Sequence, residues 1–302
     1  LKNRYCSKVR HIQDEVVRFQ KDDDGNIERI TTEDDVVLSA DLFIDCTGFA
    51  SVLIEKTMGI EFEKFKKLPN DSAVVARIPY KNEEDKRNKM SCVTDCKALS
   101  SGWIWDIPLW SRLGTGYVYS SQFQTPVSAE EEFRQETGWD GEVRHIKFRH
   151  GKHKKAWHKN VVAIGLSYGF IEPLESTGLL TTHENIINLV HHLSMRNGYV
   201  NKFSVNAFNE TANNSIQGLS NFVAIHYGMS TREDTPYWKY VTNEIDYNKT
   251  TDGDGITYIA TGMGIKRQIF NKEKIPEVSI KAIKDHIKDL EYLVEQMPSH
   301  YE

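Results

Sequence analysis

Val161-Val162-Ala163-Ile164-Gly165 passes through Leu166-Ser167-Tyr168 into Gly169-Phe170-Ile171-Glu172-Pro173-Leu174-Glu175-Ser176-Thr177-Gly178. A short run of β-branched and small apolar residues closed by glycine reads as a buried strand. The Gly169–Gly178 stretch reads as a loop, and the apolar spacing from about Leu179 to Met195 predicts a helix. In α/β folds a ligand sits beyond the carboxyl ends of the strands, on the N-terminus of the following helix. Unbonded backbone N–H groups and the helix dipole make that place attractive to an anion. Glu172 and Glu175 stand beside it. On residue types alone Glu175-Ser176-Thr177 reads first as a set of helix caps and second as the seat of a catalytic carboxylate.

Upstream, residues 8–50 read as β structure: Val9–Ile12, Val16–Phe19, Ile27–Thr31 and Val36–Ser39, with a turn at Asp22–Asn26 where Gly25 takes positive φ. Leu42-Phe43-Ile44 is a further buried strand, ending in Asp45-Cys46-Thr47-Gly48-Phe49, and residues 51–59 read as a helix. Strands are expected at Ser72–Ile78, Gly102–Pro108 and Gly116–Tyr119. Lys81–Lys89 reads as a solvated charged loop, and Ser128–Glu136 as a helix with Ser128 as N-cap and Glu131 three residues on. Beyond residue 200 the pattern is mainly helical. The last helix, Ser279–Met297, carries Ile280, Ile283, Ile287, Leu290, Val294 and Met297 on one stripe, a core-packing pattern. The expected fold class is α/β, with one module over 1–200 and a mainly helical region over 201–302.

Bulk properties exclude several function classes. The 302 residues are 39% hydrophobic and 27% charged, with a net charge of −5. That describes a globular chain with no basic face for nucleic acid. No apolar run approaches the roughly 20 residues that a membrane span requires. Cys92 and Cys96 are spaced as C-x3-C, but no second pair follows and His145, His150 and His153 form no ligand pattern, so no metal site is expected. Four cysteines without a framework read as reduced thiols of a cytoplasmic protein. The chain begins Leu1-Lys2-Asn3-Arg4-Tyr5, with neither Met nor a signal-peptide pattern, which reads as the interior of a domain.

Two more segments draw attention. Trp103-Ile104-Trp105-Asp106-Ile107-Pro108 places two indoles at i and i+2, on one face of a strand. Such pairs are commonly core residues. In His226-Tyr227-Gly228-Met229-Ser230-Thr231-Arg232-Glu233-Asp234-Thr235-Pro236-Tyr237-Trp238, Glu233 and Tyr237 would share a face if both were helical, forming a clamp for an aromatic ligand. The alternative is a helix start, with Pro236 at an early position.

Taken in order, W-x-W-x-I-P, G-F-I-E-P-L-E-S-T-G and R-E-D-T-P-Y-W closely resemble the flavin-dependent tryptophan halogenases, as does Asp41-Leu42-Phe43-Ile44-Asp45-Cys46-Thr47-Gly48-Phe49. The resemblance runs from about residue 5 to about 240 and on toward the end, and it makes 1–200 a flavin/halide-binding module and 201–302 a helical substrate-covering region. It implies a flavin monooxygenase-like fold and FADH2- and O2-dependent halogenation of an electron-rich aromatic ring such as an indole, by way of a flavin hydroperoxide and hypohalous acid. It implies Glu175 as catalytic carboxylate with Ser176 beside it, and Thr177 and Gly178 as the binding site for the halide, chloride or bromide. Flavin contacts carry over to Leu166 and Leu179, with Gly48 and Val16 added by their strand-end context. Trp103, Trp105, Ile107 and Pro108 form the motif that sets these enzymes apart from monooxygenases. Tyr227, Glu233, Tyr237 and Trp238 correspond to substrate contacts, shared with Glu175. A separate flavin reductase is implied as supplier of FADH2, and a homodimer is left open.

The chain departs from the family pattern in two respects. It holds no G-x-G-x-x-G (Gly262-Met263-Gly264 has no strand–turn–helix frame), and no lysine stands in the family's catalytic motif. These 302 residues by themselves are therefore expected neither to bind FAD tightly nor to halogenate. His226 stands where tryptophan-specific members carry Tyr, which leaves indoles, phenols and other aromatics open as substrates. The competing readings are a flavin hydroxylase of the same fold and a non-catalytic binding module.

Overall fold

Val16–Lys21 (β1) and Ile27–Thr32 (β2) pair antiparallel because Gly25, at φ +80°, closes the turn between them. The computed structural model describes residues 2–245 other than residue 196. Val37–Leu38 (β3) completes this three-stranded sheet, in the order β1-β2-β3. The strand expected at Val9–Ile12 is absent. A short helix, Lys2–Tyr5 (α1), and a turn in which the Val9 N–H donates to the Cys6 carbonyl at 3.0 Å stand before β1 instead. Phe43–Asp45 (β4) is followed by a π-helical turn, Val52–Thr57, and by Phe62–Lys64 (β5).

Next come Ser72–Ile78 (β6), a helix Glu83–Lys89 (α2), Asp95–Leu99 (β7), Gly102–Leu109 (β8), Arg112–Tyr119 (β9), a helix Pro126–Thr137 (α3) and Arg144–Lys147 (β10). The remaining described elements are Gly151–His153 (β11), Trp157–His158 (β12), Val161–Ala163 (β13), Gly169–Phe170 (β14), Thr177–Ser194 (α4), Lys202–Gly228 (α5) and Pro236–Asn243 (α6). The fold class is α/β, as the sequence led us to expect. The Ser279–Met297 stripe and Gly262–Gly264 lie outside the described residues.

Two local expectations are corrected. Lys81–Lys89 contains a helix rather than a loop. Asn82 accepts from the Asp85 N–H at 2.8 Å and Asp85 accepts from the Lys81 N–H at 3.0 Å. Acidic residues fill the first turn of α2 and basic residues the last, so its charges follow the helix dipole. Helix α3 is capped not by Ser128 but by Thr125, whose hydroxyl accepts from the Ser128 N–H at 3.2 Å, with Pro126 in the first turn. Proline there loses no helical hydrogen bond.

The chain packs as two compact units, each discontinuous in sequence: residues up to Phe65 with His150–Leu219, and Lys66–Arg149 with Ser220 onward. The expected division at 200/201 was drawn by role, whereas these units are set by packing. In the first unit β13 pairs parallel with β4 and antiparallel with β12. Two asparagines stitch this unit together by imitating strand pairing. Asn160 accepts from the Ile27 N–H and donates to the Ile27 carbonyl, both at 2.9 Å, and Asn209 does the same for Trp157 at 2.8 and 2.9 Å. Trp157 and Phe208, both fully buried, meet edge to face at 5.5 Å.

The second unit is a five-stranded antiparallel sheet, in the order β10-β6-β9-β8-β7. One face, with Val74, Ala76, Ile104, Tyr117 and Tyr119, packs against Ala129 and Phe133 of α3. Glu132 of α3 accepts from the Ser100 N–H at 2.9 Å, the Ser100 hydroxyl at 2.6 Å and the Gln124 amide at 2.9 Å. Burial pushes its carboxyl up, but the hydrogen bonds outweigh burial and hold it below the usual carboxylate range. A carboxyl lowered on folding contributes stability above its unfolded value of about 4.3 and loses it as pH falls through the folded value. Glu132→Gln is expected to cost about 1 kcal/mol at neutral pH, a figure reduced for partial exposure. Urea unfolding should show that difference shrinking as pH falls below the unfolded carboxyl's range; a difference that does not change with pH would rule the carboxylate's role out.

Candidate functional site

In the first unit the parallel pair β4 and β13 ends side by side, with Asp45 opposite Ala163. Both chains then turn sharply at glycines of positive φ, Gly48 at +66° and Gly165 at +71°. At Gly165 a Cβ would also meet the Thr182 hydroxyl of α4 at 3.3 Å. Asp45 is wholly buried and organises the first turn. Its carboxylate accepts from the Thr47 N–H at 3.0 Å, the Thr47 hydroxyl at 2.6 Å and the Leu53 and Ile54 N–H groups at 2.8 Å each. The two turns touch. The Ser51 hydroxyl donates to the Ser167 carbonyl at 3.3 Å, and Phe49 meets Phe170 edge to face at 5.3 Å. Gly48 and Leu166 are thereby brought together. Val16 is not: it lies on β1, in the separate β1-β2-β3 sheet.

Past β14 the chain makes a 3-10 turn at Pro173–Glu175. Ser176 adopts the left-handed conformation, φ 53° and ψ 29°, and α4 begins at Thr177, two residues earlier than expected. A left-handed non-glycine residue costs roughly 1–2 kcal/mol and persists where its surroundings impose it. Ser176 makes no side-chain cap, so the capping reading of this residue does not hold. The first-turn N–H groups of α4 have no carbonyl four residues back to bond. Thr177 is buried, and its hydroxyl has no hydrogen-bond partner among the described residues. A Cβ on Gly178 would meet nothing within 4 Å. Glu175 is exposed, as are Leu166 and Leu179, whereas Glu172 is fully buried. Donors without acceptors, open space and a helix N-terminus make a place for a small anion. A halide fits this donor set. Leu166 and Leu179 are the exposed apolar groups that a flat ring system such as a flavin would use here.

In the second unit Trp103 and Trp105 share one face of β8, their rings 5.8 Å apart. Trp103 is 4% exposed; Trp105, Ile107 and Pro108 are half-buried. Helix α6 starts at Pro236 with Thr235 as cap, so Glu233 precedes the helix and does not share a helical face with Tyr237. Glu233 is exposed, whereas Tyr227, Tyr237 and Trp238 are buried. Their polar atoms serve the core. Asn70 donates to the Tyr227 hydroxyl at 2.8 Å, the Tyr237 hydroxyl donates to Asn70 at 3.0 Å, and the Trp238 indole N–H donates to the Leu99 carbonyl at 2.7 Å. Sequence reasoning missed Asn70; its partners are 157 and 167 residues away, and no local pattern marks it.

The family profile described as tryptophan halogenase matches residues 2–273. The chain belongs to the tryptophan halogenase family. This family member is 39% identical over 242 residues to tryptophan 6-halogenase SttH of Streptomyces toxytricini, covering 76% of the chain and 44% of that relative. It is also 39% identical over 235 residues to tryptophan 7-halogenase RebH of Lentzea aerocolonigenes, covering 76% and 43%. The crystal structure of SttH superposes with a TM-score of 0.86 at 32% identity, covering 97% of the chain and 62% of that structure. The VirX1 apo structure gives 0.86 at 41% identity, covering 97% and 64%. The halogenase-family chain thus spans less than half the length of the curated relatives it matches.

Proposed function

We propose that this protein takes part in flavin-dependent halogenation of an electron-rich aromatic compound of the indole class, with the loop before α4 as halide site and Glu175 as catalytic carboxylate. The observation that carries the reading is the buried, unpartnered Thr177 hydroxyl at the N-terminus of α4, beside the exposed Glu175. Reduced FAD with dioxygen would supply the oxidising equivalents that turn halide into hypohalous acid. Thr177 and Gly178 hold the halide through backbone N–H groups, with the Thr177 hydroxyl as a further donor. Leu166 and Leu179 line the flavin side, and Gly48 lies on the adjoining turn. As the ring carbon bonds to halogen, its proton must leave. The Glu175 carboxylate accepts it or orients the electrophile, with Ser176 setting its direction. Trp103, Trp105, Ile107 and Pro108 exclude water with bulky apolar surface.

Tyr227, Tyr237 and Trp238 act on substrate by shaping the fold around Glu233, since their own polar atoms are engaged in the core. Reduced flavin comes from a separate reductase. Among the described residues no helix is long and apolar enough to cross a membrane.

The deciding assay joins these 302 residues to a family member's glycine-rich FAD segment and catalytic lysine, supplies reduced FAD, dioxygen and bromide or chloride with indoles and phenols, and follows halogenated product by mass. Halide-dependent product is expected; hydroxylated product independent of halide would transfer the protein to the flavin hydroxylases. Thr177→Val removes the hydroxyl at constant shape. It is expected to raise the KM for halide about tenfold, the loss of one charge-assisted hydrogen bond, with kcat at saturating halide little changed.

A further inference from the structure

The face of the β10-β6-β9-β8-β7 sheet turned away from α3 carries a groove in which Trp105 stands among arginines that the proposed halogenation leaves without a role. Strand residues two apart share a face. Because Val74, Ala76, Ile104 and Tyr117 face α3, their neighbours Val75, Arg77, Trp105 and Gly116 face the other way. One cross-strand row there runs Arg144, Val75, Gly116, Trp105, and the next contains Arg77, Gly114 and Ile107. Arg112 follows Gly114 two residues back along β9 and lies opposite Leu109. The cavity has a volume of about 630 Å³, and Arg77, Arg112, Arg144 and Trp105 are among its walls.

Three features give this groove a chemistry. First, its cations are not neutralised: none of Arg77, Arg112 and Arg144 pairs with a carboxylate among the described residues, and Glu142 is the one acidic wall residue. Like charges gathered without counter-ions draw in an anion. Secondly, the Arg112 Nε is buried and has no hydrogen-bond partner, although its Nη1 donates to the Ser111 hydroxyl at 3.2 Å. A buried donor left unmade costs about 1–3 kcal/mol, which an acceptor from a ligand would recover. Thirdly, the floor is flat. Gly114 and Gly116 present no side chains, and the Trp105 ring lies so close over Gly116 that a Cβ there would fall 2.2 Å from it.

We propose that this groove binds a small planar organic anion, its anionic group held by Arg77, Arg112 and Arg144 and its ring stacked at Trp105. Guanidinium forks bind carboxylate and phosphate alike, and an indole face accepts any flat ring. The inference stands on the second unit alone and does not depend on the halide loop.

Calorimetric titration of the 302-residue protein with naphthoate, naphthyl phosphate and the neutral naphthalenemethanol tests it. Both anions are expected to bind at least about tenfold more tightly than the neutral ring, and more weakly as salt rises. The tighter of the two anions identifies the natural ligand as a carboxylate or a phosphate ester. Arg112→Gln, and separately the exposed pair Arg77→Gln with Arg144→Gln, should each weaken anion binding about tenfold at unchanged melting temperature, and Arg112→Lys should restore part of it. Glu142→Gln should tighten it about threefold. Equal affinity for the neutral ring, wild-type affinity in both arginine variants, or no binding of either anion would each overturn the proposal.

Discussion

Glu175→Gln is expected to lower the halogenation rate by about a hundred- to ten-thousandfold, the range for a positioned acid or base, while leaving stability within about 0.5 kcal/mol of wild type. The two expectations come from the same placement. Glu175 ends the 3-10 turn before the left-handed Ser176 and is exposed, so removing its charge leaves no buried charge uncompensated. Gln keeps the shape and the capacity to accept a hydrogen bond but cannot take a proton. If Glu175 acts as base, kcat falls and KM for halide and ring stays near wild type, because proton loss follows binding. Glu175→Asp should recover part of the rate, the shortfall reflecting a carboxylate drawn back by one methylene. Full activity in Glu175→Gln would leave proton removal to water and reduce the residue to a surface carboxylate. The companion measurement is thermal unfolding: a melting temperature lowered together with kcat would mean that the change acted through the fold.

How much of this was legible beforehand depended on how local the governing interaction is. Ser72–Ile78 is legible to the residue, because a short continuous apolar run stands between Asp71 and Pro79. The turn before α4 is legible because a strand, a glycine turn and a helix start follow one another directly in the chain. The Trp103–Trp105 pair was legible as a shared face for the same reason. Charge misled at Lys81–Lys89, where solvation was assumed and the ordering of charges along the helix dipole went unread. At α3 the capping-box spacing points to Ser128, whereas Thr125, followed by the proline that opens the helix, is the cap. Tyr227, Tyr237 and Trp238 suit aromatic recognition by type, and the family resemblance makes them substrate contacts. What buries them is Asn70 and the Leu99 carbonyl, reached only through the tertiary fold. The arginine groove was out of reach for the same reason. Arg77, Arg112 and Arg144 share a face only through the pairing of β10, β6 and β9.

Asp45→Ala is expected to cost about 3–5 kcal/mol, enough to unfold the first unit at moderate temperature. Asp45 sits at the end of β4, fully buried, and its two oxygens take four donors from the turn that follows. The Leu53 and Ile54 N–H groups open the π-helical turn and are themselves buried, so alanine leaves them unsatisfied away from water. Each such donor costs about 1–3 kcal/mol. Asp45→Asn is the sharper variant. It preserves volume, and its carbonyl oxygen can still serve one pair of donors, but its amide then confronts N–H groups with N–H. A cost of about 2–3 kcal/mol is expected, between that of wild type and alanine. The loss should also be felt at the neighbouring turn. The Ser167 hydroxyl donates to the Asp45 carbonyl and the Ser51 hydroxyl to the Ser167 carbonyl, so the Gly48 and Gly165 turns are held as a pair. Denaturant titration gives the global cost, and hydrogen exchange at Leu53 and Ile54 gives the local one. Fast exchange confined to 46–57 with global stability intact would mean that Asp45 only caps its own turn. Loss of protection extending to 165–167 is the result expected if one buried carboxylate holds both strand-end turns.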